Sequence, residues 1–157
     1  MPDLNGKPVV LFLCTGNSCR SQMAEGWARH LHGARMVVRS AGIETHGLNP
    51  RAVAVMAEAG VDISGHSSEQ LSSQPLDDID LVITVCDHAA GHCPVFPGRA
   101  RVVHHAFDDP PALARKASSE EEALAPYRRV RDEIRDFVQG SLPGLLPGLQ
   151  QGKDTPA

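Results

Sequence analysis

The feature that most constrains this chain is an unbroken apolar run, Val9-Val10-Leu11-Phe12-Leu13, which stops at Cys14 and gives way to Thr15-Gly16-Asn17-Ser18. A strand with one wetted face alternates apolar and polar residues. A run without alternation suits a strand covered on both faces, as in the middle of a parallel sheet. Past the small, turn-forming residues, Met23, Ala24, Trp27, Ala28 and Leu31 recur at helical spacing, so the segment reads strand, tight loop, helix. A second run of this kind, Leu81-Val82-Ile83-Thr84-Val85, also ends at a cysteine, Cys86. Open parallel sheets gather their ligands at the carboxyl ends of the strands, which makes Cys14 and Cys86 expected neighbours.

The remaining elements follow the same logic. Gly33 is a helix stop, and Met36-Val37-Val38 is a short second strand running into Ser40-Ala41-Gly42. Asn49-Pro50 predicts a helix start, with asparagine as cap and proline in the first turn, and Gly60 ends that helix. Ser68 is placed to cap a short helix beginning at Glu69. Val102-Val103 marks a fourth strand, and the prolines of Phe107-Asp108-Asp109-Pro110-Pro111 argue against regular structure there. From Ser118 a helix begins with Glu120, Glu121 and Glu122 in its first turn and buries Leu124, Tyr127, Val130, Ile134 and Phe137, with Gly140 as its stop. The expected organisation is one domain over 1–140 and a partly disordered tail over 141–157, from which Leu142, Leu145, Leu146 and Leu149 could pack.

Composition limits the function classes. With 157 residues, 41% of them hydrophobic, the chain can bury one sizeable core. A net charge of -4 without a basic run argues against nucleic acid or an anionic membrane as partner. The apolar run near the N-terminus is too short for a signal or a membrane span, so the expected location is cytoplasmic. In a reducing compartment the four cysteines, Cys14, Cys19, Cys86 and Cys93, are expected to be catalytic, metal-binding or redox-active rather than structural disulfides.

The loop from Thr15 to Arg20 aims backbone N–H groups and the positive end of a helix at one point where an oxyanion can sit. Cys14 at its entrance should have a lowered pKa in that field, giving a nucleophilic thiolate. Arg20, separated from Cys14 by five residues, can fork onto two oxygens of a tetrahedral anion. Asp109 can reach the same edge as an acid for a departing oxygen, although aspartate before proline is also an ordinary turn former. Cys86 and Cys93, seven positions apart across small residues, read either as two unrelated buried cysteines or, beside Cys14, as successive thiols of a disulfide relay. Cys86, His88, His92 and Cys93 do not have the spacing of a zinc site, and no metal is expected. His30, His32, His46, His66, His104 and His105 read as surface or loop residues, and Cys19 as a small core residue.

These blocks together resemble a known family: CTGNSCRSQMAEGW from Cys14 to Trp27, SAGIETHGLNP from Ser40 to Pro50, the Cys86/Cys93 pair, FDDP from Phe107 to Pro110, and YRRVRDEI from Tyr127 to Ile134. The chain is similar to the thioredoxin-coupled arsenate reductases built on the low-molecular-weight tyrosine phosphatase fold, from about Val9 to Gly140. The resemblance implies an α/β three-layer sandwich, a four-stranded parallel sheet of order 2-1-3-4 with helices on both faces. It implies Cys14 as nucleophile, Arg20 with the loop Thr15, Gly16, Asn17, Ser18 and Cys19 as oxyanion clamp, Ser21 as a hydroxyl that stabilises the thiolate, and Asp109 as general acid. Asn17 would hold the loop in shape, and Cys86 and Cys93 would receive the oxidation. Arsenate would be reduced to arsenite, a detoxifying reaction, without a cofactor and with electrons from thioredoxin or, alternatively, from glutaredoxin with a small thiol. The rival expectation is a phosphatase acting on phosphotyrosine or a small phosphomonoester through Cys14, Arg20 and Asp109. A non-enzymatic oxyanion or metal sensor is a third.

Overall fold

The first apolar run forms β1 (Val9–Cys14), every residue of which is buried. Side chains on a strand alternate between faces, so the complete burial of both Leu11 and Phe12 requires layers above and below the sheet. The structure, a computed structural model, describes residues 6–87 and 100–146. In it β1 pairs in parallel with β2 (Val37–Gly42) on one side and β3 (Leu81–Thr84) on the other, and β3 pairs in parallel with β4 (Arg101–His104). The sheet order β2-β1-β3-β4 matches the expected 2-1-3-4 arrangement. The register sets Leu13 beside Thr84 and Cys14 beside Gly42, which brings the ends of three strands to one edge.

Helix α1 (Arg20–His32) follows β1 and is buried from Ser21 to Ala28. Helix α2 (Pro50–Glu58) starts as expected, the Asn49 side chain accepting from the N–H groups of Arg51 and Ala52. The positive φ of Gly60 turns the chain just beyond it. Helix α4 (Glu120–Asp136) is capped by Ser119 and buries Ala123, Tyr127, Val130 and Ile134. Trp27 Nε1 donates to Arg131 O and Arg131 Nη1 to Val55 O, tying α1, α4 and α2 into one layer.

Several expectations are corrected. The second strand extends through Ser40 to Gly42, because a parallel partner is available along its whole length. Ser68 caps no helix. Its hydroxyl donates to Gly16 O, and the segment forms only a 3-10 turn at Leu71–Ser73. Pro110 and Pro111 open a short helix, α3 (Pro110–Ala114), since first-turn positions need no N–H. Gly140 lies inside a π-helical turn (Phe137–Ser141) that prolongs α4. His32 is buried rather than superficial, with Nε2 2.9 Å from Val138 O. Leu124 is only half-buried. Leu142 and Leu146 do pack in the core, as their place among the tail leucines allowed. Among the described residues no helix is long and apolar enough to cross a membrane. Leu149 lies outside the described residues.

Candidate active site

The end of β1, the loop Thr15–Cys19 and the start of α1 follow one another as the expected strand, loop and helix. The carbonyl side of the loop is occupied: Cys14 O, Thr15 O, Gly16 O and Ser18 O accept from Ile43, Glu44, His46 and Asn49 N–H groups. The segment after β2 therefore cradles the loop from outside. Gly42 is required for this close approach, because a Cβ there would lie 2.3 Å from Glu44 O and 2.7 Å from Asn17 N.

Asn17 is the centre of the loop. Its φ of +49° is left-handed, which costs an L-residue about 1–2 kcal/mol and is best tolerated by glycine and asparagine. The amide is fully used to hold that shape. Nδ2 donates to Ser21 Oγ and Ser40 Oγ, both at 2.9 Å, and Oδ1 accepts from Glu69 N at 2.6 Å and Gln22 Nε2 at 3.1 Å. Ser40 Oγ in turn donates to Glu25 Oε1 at 2.5 Å, Glu25 is neutralised by Arg29 at 2.7 Å, and His66 Nδ1 donates to Gln22 Oε1 at 2.9 Å. Gln22, Glu25 and Ser40 are buried supports that sequence reasoning missed. For Gln22 and Glu25 the signal was polarity on helix positions whose neighbours Met23, Ala24 and Trp27 are core residues, whereas Ser40 lies on β2. Ser21 Oγ, as acceptor from Asn17, keeps its own proton for another partner.

Arg20 and Asp109 meet at the open side. Arg20 Nη1 donates to Phe107 O at 2.9 Å, its Nη2 stands 3.6 Å from Asp109 Oδ1, and its buried Nε has no partner among the described residues. The two adjacent aspartates are sorted: Asp108 faces outward to Arg129 at 2.9 Å, whereas Asp109, at the N-cap of α3, makes no capping bond and faces Arg20.

Cys14 and Cys86 are both buried, at 4% and 2% exposure, and Cys86 is near enough to act on the proton of the Cys14 thiol. Thr15 Oγ1 lies 3.2 Å from Cys86 Sγ. Two parallel strands have thus delivered two thiols into contact. The expected lowering of the Cys14 pKa is corrected: its thiol is raised, first by the hydrogen bond with Cys86 and then by burial, against the pull of Arg20 and the Thr15 N–H. Burial likewise pushes Cys19 up to about 12, making it a protonated core thiol. No disulfide links Cys14, Cys19 and Cys86 to one another. Cys93, His88 and His92 lie outside the described residues. Among the described residues no cluster of three histidine, cysteine or acidic side chains is arranged to hold a metal.

Residues 9–152 match the sequence pattern of the low molecular weight phosphotyrosine protein phosphatases. The chain belongs to that family. Within it, the chain is 53% identical to the arsenate reductase of Bacillus subtilis over 80% of its own length and 88% of the relative's. It is 52% identical to the arsenate reductase of Halalkalibacterium halodurans, over 82% and 90% of the two chains. A solved arsenate reductase in a phosphate-binding state superimposes with a TM-score of 0.69 at 32% identity, covering 90% of this chain and 98% of the other.

Proposed function

We propose that this family member reduces arsenate to arsenite with thiols as its only redox groups. The observation that carries the reading is the contact between Cys14 and Cys86 at the mouth of an oxyanion loop, since hydrolysis of a phosphoester has no use for a second thiol. The family supports it through relatives named as arsenate reductases.

Arsenate enters the loop, where the first-turn N–H groups of α1, uncapped by the Cys19 side chain, and the unsatisfied Nε of Arg20 receive its oxygens. The thiolate of Cys14, a minor form that Arg20 and the Thr15 N–H favour, attacks arsenic. One oxygen leaves as water after taking a proton from Asp109, giving a Cys14 sulfur–arsenic bond. The Cys86 thiolate then attacks the Cys14 sulfur. A sulfur–sulfur bond forms, and the sulfur–arsenic electron pair stays on arsenic, which departs as arsenite. Two electrons have moved from two thiols to arsenic, which balances the step. Cys93 next attacks Cys86, frees Cys14 and leaves a Cys86–Cys93 disulfide for thioredoxin to reduce. Thr15 keeps the Cys86 sulfur at the loop, and Ser21 offers its remaining proton to the Cys14 thiolate. A reducing, cytoplasmic setting accords with a mechanism that needs Cys14 as a thiol at the start of each turn.

The test is arsenate-dependent oxidation of NADPH in the presence of thioredoxin and thioredoxin reductase, beside glutaredoxin with a small thiol, and beside hydrolysis of phosphotyrosine peptides. The expected result is cycling with thioredoxin and only weak phosphoester hydrolysis. Efficient peptide dephosphorylation with no arsenate turnover overturns the reading in favour of a phosphatase.

A further inference from the structure

A hydrogen-bonded chain at the carboxyl end of β3 takes no part in the steps above. Thr84, the last residue of β3 and fully buried, has its Oγ1 2.8 Å from Nδ1 of His104, the last residue of β4. Nε2 of His104 lies 3.0 Å from Asp87 Oδ1. The partners determine the tautomer. A carboxylate only accepts, so Nε2 carries the hydrogen, Nδ1 is left as acceptor, and the Thr84 hydroxyl donates to it.

Thr84 and Asp87 bracket Cys86, two residues before it and one after. The backbone ladder ends at the same place: Val85 N–H donates to Leu13 O at 2.9 Å, and Phe107 N–H to Val85 O at 3.0 Å. Beyond Val85 the imidazole bridge takes over from the sheet in holding the chain. Asp87 has no solvation reason to lean on β4, because its side chain is 90% exposed. Thr84, for its part, needs a partner for a buried hydroxyl and finds it in a ring that reaches out to the surface.

We propose that His104 is a positioning residue for Cys86, holding the backbone on both sides of that cysteine so that its sulfur stays aligned on Cys14. The inference rests on Cys86 being the thiol that attacks the Cys14 adduct. An attack of sulfur on sulfur is sensitive to alignment, so loosening the bridge slows that step while sparing the steps before it. Oxyanion binding and the first covalent step use Arg20, Asp109 and the loop, whose hydrogen bonds and ion pairs among the described residues are separate from the bridge.

The experiment compares single-turnover arsenite release with hydrolysis of para-nitrophenyl phosphate, a reaction that needs Cys14 but not Cys86. For His104→Ala and Asp87→Ala, arsenite release is expected to slow about two- to fivefold, the range open to a solvent-exposed pair. Aryl phosphate hydrolysis and phosphate affinity are expected to stay unchanged. Asp87→Asn, whose amide oxygen still accepts from Nε2–H, restores the rate. Unchanged arsenite release overturns the inference. So does a parallel fall of both activities in Asp87→Ala, a surface change that leaves the core intact. If the unaltered enzyme releases no arsenite, the underlying reading fails, and the inference with it.

Discussion

The carboxyl ends of β1 and β3 start alike and end differently. Both strands are fully buried, and both deliver a cysteine to the same edge. After Cys14 the chain closes into a loop whose carbonyls and central amide are hydrogen-bonded, and it re-enters the core as α1. After Cys86 the next side chain is already in solvent, held by one imidazole on the sheet's outermost strand. The difference separates two duties. A site that must bind an oxyanion needs donors fixed before the ligand arrives. A thiol that must bond first to one cysteine and then to another needs a light anchor, because each disulfide demands its own geometry.

The contrast is broken most severely at Cys86. Cys86→Ser should lower arsenite release by about a thousandfold or more, since a nucleophile is lost. Phosphate affinity, measured by titration calorimetry, should be retained. Loss of phosphate binding as well would mean that the two strand ends form one indivisible site.

A smaller effect is expected on the rigid side. Asn17→Ala leaves the buried Ser21, Ser40 and Gln22 groups short of a partner and keeps a left-handed backbone that alanine tolerates poorly. The expected loss is about 2–4 kcal/mol of stability in urea unfolding, with phosphate binding weakened about tenfold. Unaltered stability would show that the loop holds its shape without the amide.

The mildest perturbation reads the coupling between the two ends. Cys86 contributes the largest upward push on the Cys14 thiol, so Cys86→Ala should bring that pKa down. A lower pKa means more thiolate at any given pH, and the pH profile of Cys14 alkylation should move to lower pH. With Cys86 present, the rate should rise as pH increases through the neutral range, because the raised thiol gives up its proton late. A profile that moves upward, or stays in place, contradicts the hydrogen bond between the two sulfurs.

Much of this was legible in the residues. Unalternating runs identified β1 and β3 as central strands, and Asn49-Pro50 marked the start of α2 as it occurs. The errors came where local signals met tertiary demands. Pro110 and Pro111 look like helix breakers but occupy the one turn that accepts them. Ser68 looks like a cap, yet the anion loop takes its hydroxyl. His32 looks superficial until the Val138 carbonyl is brought over it.

Sequence by itself determined the doubly covered parallel sheet and the cysteine–loop–arginine arrangement at its edge, because strand burial and loop closure are encoded by residues adjacent in the chain. The tertiary structure decided what lies far apart in sequence. It put Thr15 Oγ1 against the Cys86 sulfur, tied Asp108 to Arg129, and raised the Cys14 pKa where the local helix field alone called for a fall. The physical reason is that proton affinity and side-chain hydrogen bonding depend on burial and on contact with neighbours about seventy residues away, which no local pattern carries.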